Sequence, residues 1–308
     1  MNNKRIAIVH EWFSVYAGSE RVTSAIIKLF KQADIFCLVN FFSKEDSLIV
    51  FDNRKIKTTF IQKLPFAKNN FRLYFPFLYF GIRSLKLKSF DVIITSSHAF
   101  AHSVKTYGNQ VHICYCHAPM RYVWDMQDSY LKENGFDKLF FLFIPKAFAA
   151  LLRRLDYRTA QKVDYFIANS NYIKNKIKKF YNRESLVIYP PIDVDKFKIQ
   201  EKKKEYYFSS SRFVSYKRND ILVKAFSKMP DKQLIICGQG KHKRKLKKVA
   251  TTNVKFLDFL PFHEFHEYLR NAKAFVYAAE EDFGIVIAEA QACGTPVITY
   301  AKGGAAEI

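Results

Sequence analysis

EEDFGIVIAEAQACGTPVIT, residues 280–299, runs from an acidic loop through a helical stretch into a short strand pattern at Pro296–Thr299. An apolar run at Ala274–Tyr277 precedes it. Strand, helix, strand in succession is a parallel pair, because only a crossover of helical length returns the chain in the same direction. Gly284 stands where the loop enters the helix; there a residue without Cβ lets backbone N–H approach a ligand, and a helix start favours phosphate. Glu281 precedes that turn, and Glu289 follows eight positions later among Ile287, Ala288 and Ala290. A carboxylate so surrounded needs a partner. The paired hydroxyls of a ribose suit its two oxygens, and a local cap or bridge is the competing role.

The same alternation extends upstream. Tyr206–Ser209, Gln233–Cys237 and Val254–Leu257 read as strands, with helices near 219–228, 241–250, 263–271 and 285–293. An earlier series places strands at Ile6–His10, Asp34–Val39, Asp91–Thr95, Val111–Cys116, Asp164–Asn169 and Leu186–Tyr189. Helical spacing at Glu20–Phe30, Ile144–Lys162 and Tyr172–Phe180 lies between them. Tyr189-Pro190-Pro191-Ile192-Asp193 interrupts the rhythm, since two prolines stop both helix and ladder. The charged run EKKKE at 201–205 follows. The expectation is an α/β chain of two doubly wound, Rossmann-like domains, 1–190 and 191–308, with a ligand cleft at the strand C-termini. The chain ends at Ile308, after a strand and the loop Lys302-Gly303-Gly304. A doubly wound domain ordinarily continues there with a helix, so the second domain is expected to be incomplete.

Among 308 residues, 49% are hydrophobic, which excludes disorder. Five cysteines, an odd number, argue for a reducing compartment, and Cys114 and Cys116 read as strand residues rather than a metal pair. The apolar run near the N-terminus is too short for a signal segment, and no stretch suits a membrane span. A net charge of +22 demands an anionic neighbour. Aromatic residues at 17% share segments with that charge, as in LPFAKNNFRLYFPFLYFGIRSLKLKSF at 64–90 and DKLFFLFIPKAFAALLRR at 137–154. Such pairing suits an anionic bilayer interface, although core helices with solvated charged faces would read alike. The resulting expectation is a cytoplasmic protein, peripheral on the inner face of the plasma membrane.

Several chemistries are disfavoured. No Gly-x-Gly-x-x-Gly follows the first strand, and there is no Gly-x4-Gly-Lys-Ser/Thr. No recognisable nucleic-acid module accompanies the charge, so nucleic acid is not an expected partner. Asp193-Val194-Asp195 spells a metal motif but lies in the linker, and no metal is expected.

Glu281-x7-Glu289, followed by Ala-x-Ala-Cys-Gly-Thr-Pro-Val-Ile, resembles the signature of family-4 retaining glycosyltransferases with the GT-B fold. The resemblance implies that Glu281 faces a donor sugar, that Glu289 binds a ribose, and that backbone at Phe283, Gly284 and Ile285 contacts sugar and diphosphate. Arg212 and Lys217, spaced Arg-x4-Lys after the first strand of the second domain, match the family's diphosphate clamp. A planar fork and a point charge suit a leaving diphosphate. Gly238-Gln239-Gly240 is similar to the family's Gly-x-Gly turn, and Phe256-Leu257-Asp258 falls where the family contacts the base. In the first domain, Gly18 sits in the loop opening the first helix, where Ala17 replaces the family's first glycine. Ser96-Ser97-His98 and Cys116-His117-Ala118-Pro119-Met120-Arg121-Tyr122-Val123-Trp124 resemble a bacterial mannosyltransferase subgroup that builds O-antigen polysaccharide. That likeness implies His117 at the donor hexose, and His98, Arg121 and Trp124 on the acceptor side. It also implies a nucleotide diphosphate-sugar donor, GDP-mannose foremost, and a polyprenyl-linked oligosaccharide acceptor. Metal and cofactor are not expected. The rival readings are a catalytically silent nucleotide-sugar-binding protein and a basic nucleic-acid-binding protein.

Overall fold

The computed structural model describes residues 4–127 and 143–308, so 137–142 of the second basic-aromatic stretch lie outside the described residues. The chain divides into two compact units, Met1–Pro191 and Ile192–Ile308.

Unit 1 is built on β1 (Ile6–Phe13), β2 (Asp34–Asn40), β3 (Ile56–Thr58), β4 (Val92–Ser97), β5 (Val111–Cys116), β6 (Tyr165–Ala168) and β7 (Ser185–Val187). Among the described residues they form one parallel sheet in the order β3-β2-β1-β4-β5-β6-β7. All eight residues of β1 are buried, as in a central strand covered on both faces. That is why IAIVHEWF does not alternate. The strand also continues beyond His10, so Glu11 and Trp12 are strand residues, which the apolar run alone did not indicate.

The helices of this unit are α1 (Gly18–Leu29), α2 (Lys44–Phe51), α3 (Ala67–Asn70), α4 (Phe75–Arg83), α5 (Phe143–Ala160) and α6 (Asn171–Tyr181). Ser170 caps α6, accepting from the N–H of Ile173 at 3.1 Å. Ile173, Ile177 and Tyr181, four residues apart, turn its stripe into the core. The segment 64–90 is folded in short pieces. Phe71, Leu78 and Ile82 are buried, while Phe66, Leu73, Phe77 and Phe80 are exposed. Core packing and an apolar outer surface therefore come from one stretch.

Unit 2 carries β8 (Lys204–Ser210), β9 (Gln233–Cys237), β10 (Val254–Leu257), β11 (Ala272–Tyr277) and β12 (Val297–Thr299). The sheet is parallel, in the order β10-β9-β8-β11-β12. Its helices are α7 (Asn219–Ser227), α8 (Lys243–Val249), α9 (Phe262–Asn271) and α10 (Ile285–Ala292). β8 begins inside EKKKE rather than after it. Lys203 Nζ donates to the Arg270 carbonyl at 2.8 Å and to Thr295 Oγ1 at 3.1 Å, anchoring the run to the domain.

The units are therefore two Rossmann-like α/β domains. Chain order reverses between β1 and β4 in the first and between β8 and β11 in the second. In open α/β sheets, ligands bind beyond the strand ends at such a reversal. All five cysteines are buried and unbridged. No helix among the described residues is long and apolar enough to cross a membrane.

Candidate functional site

At the reversal point of unit 2, the turn after β8 carries Arg212 and Lys217, and the turn after β11 carries Glu281 and Gly284. Arg212 donates from its guanidinium to the Tyr216 hydroxyl. Its Cζ lies 5.8 Å from the Tyr216 ring centre, and Lys217 Nζ lies 5.6 Å from the same ring. Lys217 also donates to Glu281 Oε1, which accepts from the Tyr277 hydroxyl as well. Burial, and then the Glu281 charge, push the Tyr277 phenol well above its ordinary pKa, so it stays a donor to that carboxylate. Tyr216 and Tyr277 were not singled out in the sequence. Each is an ordinary aromatic by composition and becomes a site residue only through the turns it supports.

Gly284 opens α10 with φ 105°, a conformation that only glycine adopts readily, which presents the first amides of the helix. Phe283 and Ile285 flank it, with Phe283 buried and Ile285 half-buried. Glu289, 3% exposed, sits on the core side of α10. Gly238 has a structural reason of its own. A Cβ there would meet the Ser211 carbonyl oxygen at 2.0 Å, so the turn after β9 lies directly against the one bearing Arg212. Asp193-Val194-Asp195 enters a short 3-10 turn, where Asp193 pairs with Lys196 at 2.6 Å.

At the reversal point of unit 1 lies a buried polar cluster. Glu11 is fully buried, and its Oε1 accepts from Ser97 Oγ at 3.0 Å and from the amides of His98, Ala99 and Ala101 at 3.0, 2.9 and 3.0 Å. Its Oε2 faces His98 Nδ1 at 3.1 Å. Burial opposes the Glu11 charge, but His98, His10 and the Ala101 amide hold the carboxyl well below its ordinary range. His10 Nδ1 donates to the Ser96 carbonyl at 2.9 Å, and its Nε2 lies 3.5 Å from Glu20 Oε1. Against the desolvation, Glu20, Glu11 and that carbonyl raise the His10 pKa. Ligand-type atoms of His10, Glu11 and His98 lie within 4.8 Å of one another. Both His10 nitrogens are already directed at other partners, so the set fits an ion-paired cluster rather than a cation cage.

His117 directly follows β5, and its Nε2 is 2.8 Å from Ser96 Oγ. Burial, followed by the neighbouring His98 and His10 charges, lowers its pKa to about 3, so the ring is neutral at physiological pH. Gly18 begins α1 directly after Ala17, whose N–H donates to Glu20 Oε2 at 3.2 Å. His98 and His117 share this cluster, with ring centres 6.4 Å apart. Arg121 lies half-buried in the turn after His117. Trp124 is directed into the fold: its Nε1 donates to Asp156 Oδ2 at 2.7 Å and its ring stacks on Phe180 at 5.0 Å. The sequence reading missed His10, Glu11, Glu20, Thr23 and Ser96 as site residues. The available signal was a His-Glu pair inside an otherwise apolar strand.

Comparison with known proteins agrees with this architecture. Residues 16–196, more than half of the chain, match the family described as Glycosyltransferase Family 4, and residues 191–308 match Glycosyl transferases group 1. A GDP-mannose-dependent monoacylated alpha-(1-6)-phosphatidylinositol monomannoside mannosyltransferase of Corynebacterium glutamicum is 40% identical over 113 residues, 32% of this chain and 30% of that protein. An uncharacterised glycosyltransferase of Methanocaldococcus jannaschii is 30% identical over 152 residues, 47% of this chain and 42% of that protein. The matches thus span less than half of either relative. Among solved structures, Anabaena HepE in complex with UDP and glucose superposes with a TM-score of 0.70 at 18% identity, covering 99% of this chain and 83% of that one. Sucrose-phosphate synthase from Thermosynechococcus elongatus gives 0.67 at 15% identity, covering 98% and 82%. The chain belongs to glycosyltransferase family 4, and its fold is GT-B.

Proposed function

We propose that this family-4 glycosyltransferase transfers a hexose from a nucleotide diphosphate-sugar to a hydroxyl acceptor with retained configuration and without a metal. The observation that carries the reading is the gathering of Arg212, Lys217 and Glu281 around Tyr216 and Tyr277, beside the amide-rich start of α10. Breaking the anomeric C–O bond leaves an oxocarbenium-like centre and a diphosphate that takes the electron pair; the acceptor hydroxyl oxygen then bonds to the anomeric carbon from the same face and gives its proton to the departing diphosphate oxygen. Arg212, Lys217 and the Gly284 amides meet the developing negative charge, as positioned cations and helix starts do elsewhere. Glu281 is the acceptor for sugar hydroxyls, held by Tyr277. Glu289 serves the ribose, and Gly238 keeps the adjoining turn close. In unit 1, His117 contacts a sugar hydroxyl.

Mannose carried by GDP is the favoured donor, supported by the activity named for the Corynebacterium relative. A UDP-sugar is the alternative, supported by the UDP and glucose bound to HepE. The favoured acceptor is a lipid-linked oligosaccharide in bacterial surface polysaccharide (O-antigen) synthesis. Exposed Phe66, Leu73, Phe77 and Phe80, with the exposed cations Lys68 and Arg72 nearby, support a seat on an anionic membrane face. Thermal-shift measurement with GDP, UDP, ADP and their sugars identifies the donor, and radiolabelled transfer measures turnover. Arg212→Ala should slow transfer by roughly 100- to 1,000-fold, the usual cost of removing one charge-stabilising contact. A loss below twofold would remove the clamp, and nucleotide binding with no turnover in the intact chain would favour a silent binding protein.

A further inference from the structure

We infer that Thr23 and Ser96 form a hydrogen-bond relay that fixes His117 as its Nε2–H tautomer and leaves the Nδ1 lone pair as an acceptor for a sugar hydroxyl. This deepens the proposed role of His117 and rests on that reading only for the identity of the hydroxyl.

The proton directions follow from the oxygens involved. Thr23 Oγ1 lies 2.8 Å from the Ser19 carbonyl, which can only accept, so the single hydroxyl proton of Thr23 is committed there. Ser96 Oγ lies 2.7 Å from Thr23 Oγ1, and with the Thr23 proton already used, Ser96 must donate to it. His10 supports the same polarity, because its Nδ1–H is 2.9 Å from the Ser96 carbonyl and 3.3 Å from Thr23 Oγ1. Ser96 Oγ then has only lone pairs to offer His117 Nε2, at 2.8 Å, and that nitrogen must carry the proton. The other hydrogen bonds of His117 use its backbone: its N–H donates to the Ser97 carbonyl at 2.8 Å, and its carbonyl accepts from Asn169 Nδ2 at 3.0 Å. His117 is half-buried, and no hydrogen bond engages its Nδ1 among the described residues, which leaves that lone pair as the acceptor.

The ring stays neutral first because burial disfavours a second proton, and then because other histidines lie close to it. His10 and His98 face it with ring centres at 6.5 and 6.4 Å, while Glu11 and Glu20 offset them only in part. Serine and threonine are positioning residues here. They touch no substrate, and they act by choosing which nitrogen is the acceptor.

The test begins on the ligand-free, intact chain carrying 15N-labelled histidine, with His117→Asn to assign the resonance. Long-range 1H–15N correlation at neutral pH should show His117 protonated on Nε2 alone. Thr23→Val removes the acceptor for the Ser96 proton, so Ser96 should turn to donate to His117 and shift the ring toward the Nδ1–H form. Ser96→Ala should give a mixture, and Thr23→Ser should restore the wild-type pattern. An Nδ1–H or doubly protonated His117 in the wild type, or an unchanged tautomer in Thr23→Val, overturns the relay. In the transfer assay, Thr23→Val should lower kcat about tenfold, the loss of one good hydrogen bond, with GDP or UDP affinity unchanged. Unaltered kcat in a variant whose tautomer has shifted overturns the acceptor role and leaves the glycosyltransferase reading intact. Failure of every nucleotide-sugar to turn over, with the tautomer as stated, sinks that reading instead.

Discussion

Glu11→Gln is the most direct probe of the unit 1 cluster, because it keeps the shape of the side chain and removes its charge. In the wild type, one carboxylate oxygen accepts from Ser97 Oγ and three successive-turn amides, all at 2.9–3.0 Å. A hydrogen bond to a charged acceptor contributes about 1.5–3 kcal/mol and a neutral one about 0.5–1.5, so neutralisation costs roughly 1 kcal/mol per bond. Four bonds give roughly 4 kcal/mol, and relief from burying a charge returns part of it. The expected net loss is about 3 kcal/mol, a large share of the roughly 5–15 kcal/mol that stabilises a domain. Urea denaturation of the intact chain measures it, and hydrogen exchange at the amides of His98, Ala99 and Ala101 localises it. The pH dependence has a definite sign. The Glu11 carboxyl is held below its ordinary 4.5, so its contribution is complete above that value and is lost as pH falls through the lower folded one. The gap between wild type and Glu11→Gln should therefore close in acid. A variant within about 0.5 kcal/mol of wild type at neutral pH, with the three amides still protected, would refute the charge-assisted account.

The two acidic residues of the signature should separate kinetically. Glu289→Gln is expected to weaken nucleotide affinity by roughly ten- to a hundredfold in calorimetry, as loss of a charge-assisted pair would, while Glu281→Gln reduces turnover more than affinity. Two variants with wild-type kinetics would dissolve the site assignment. His112, buried on β5 beside Thr95, has its pKa lowered to about 3 by desolvation and then by His102. The folded state thus refuses a proton that the unfolded chain takes below 6.5, so stability should fall with pH from 6.5 toward 3. His112→Gln should flatten that slope by about 1.4 kcal/mol per pH unit, and parallel denaturation profiles would contradict it.

Much of the scaffold was legible because its information is local. Apolar runs at Gln233–Cys237 and Val254–Leu257 coincide with strands residue for residue. The helix after Gly284 starts where the loop-to-apolar transition placed it, because a left-handed glycine and a helix start are decided within one turn of chain. The segment 44–58 was not resolved into α2 and β3, since its eight-residue helix and three-residue strand lack enough turns to establish a period. The stretch at 64–90 was legible only as aromatic and basic, because which of its phenylalanines reach the core depends on how its short helices pack on the sheet.

By itself the sequence determined the parallel α/β class, the restart of the pattern after Pro190-Pro191, and the acidic signature around Gly284, all properties of neighbouring residues. Only the tertiary structure decided which distant groups meet. Lys217 reaches Glu281 across 64 positions, and Glu11 reaches the amide of Ala101 across 90. Those pairings depend on strand order and register, as in His10 beside Ser96, where parallel crossovers bring the ends of separate strands together. The physical reason is that residue spacing encodes the period of an element, whereas proton positions, buried charges and glycine contacts arise only when elements are laid side by side.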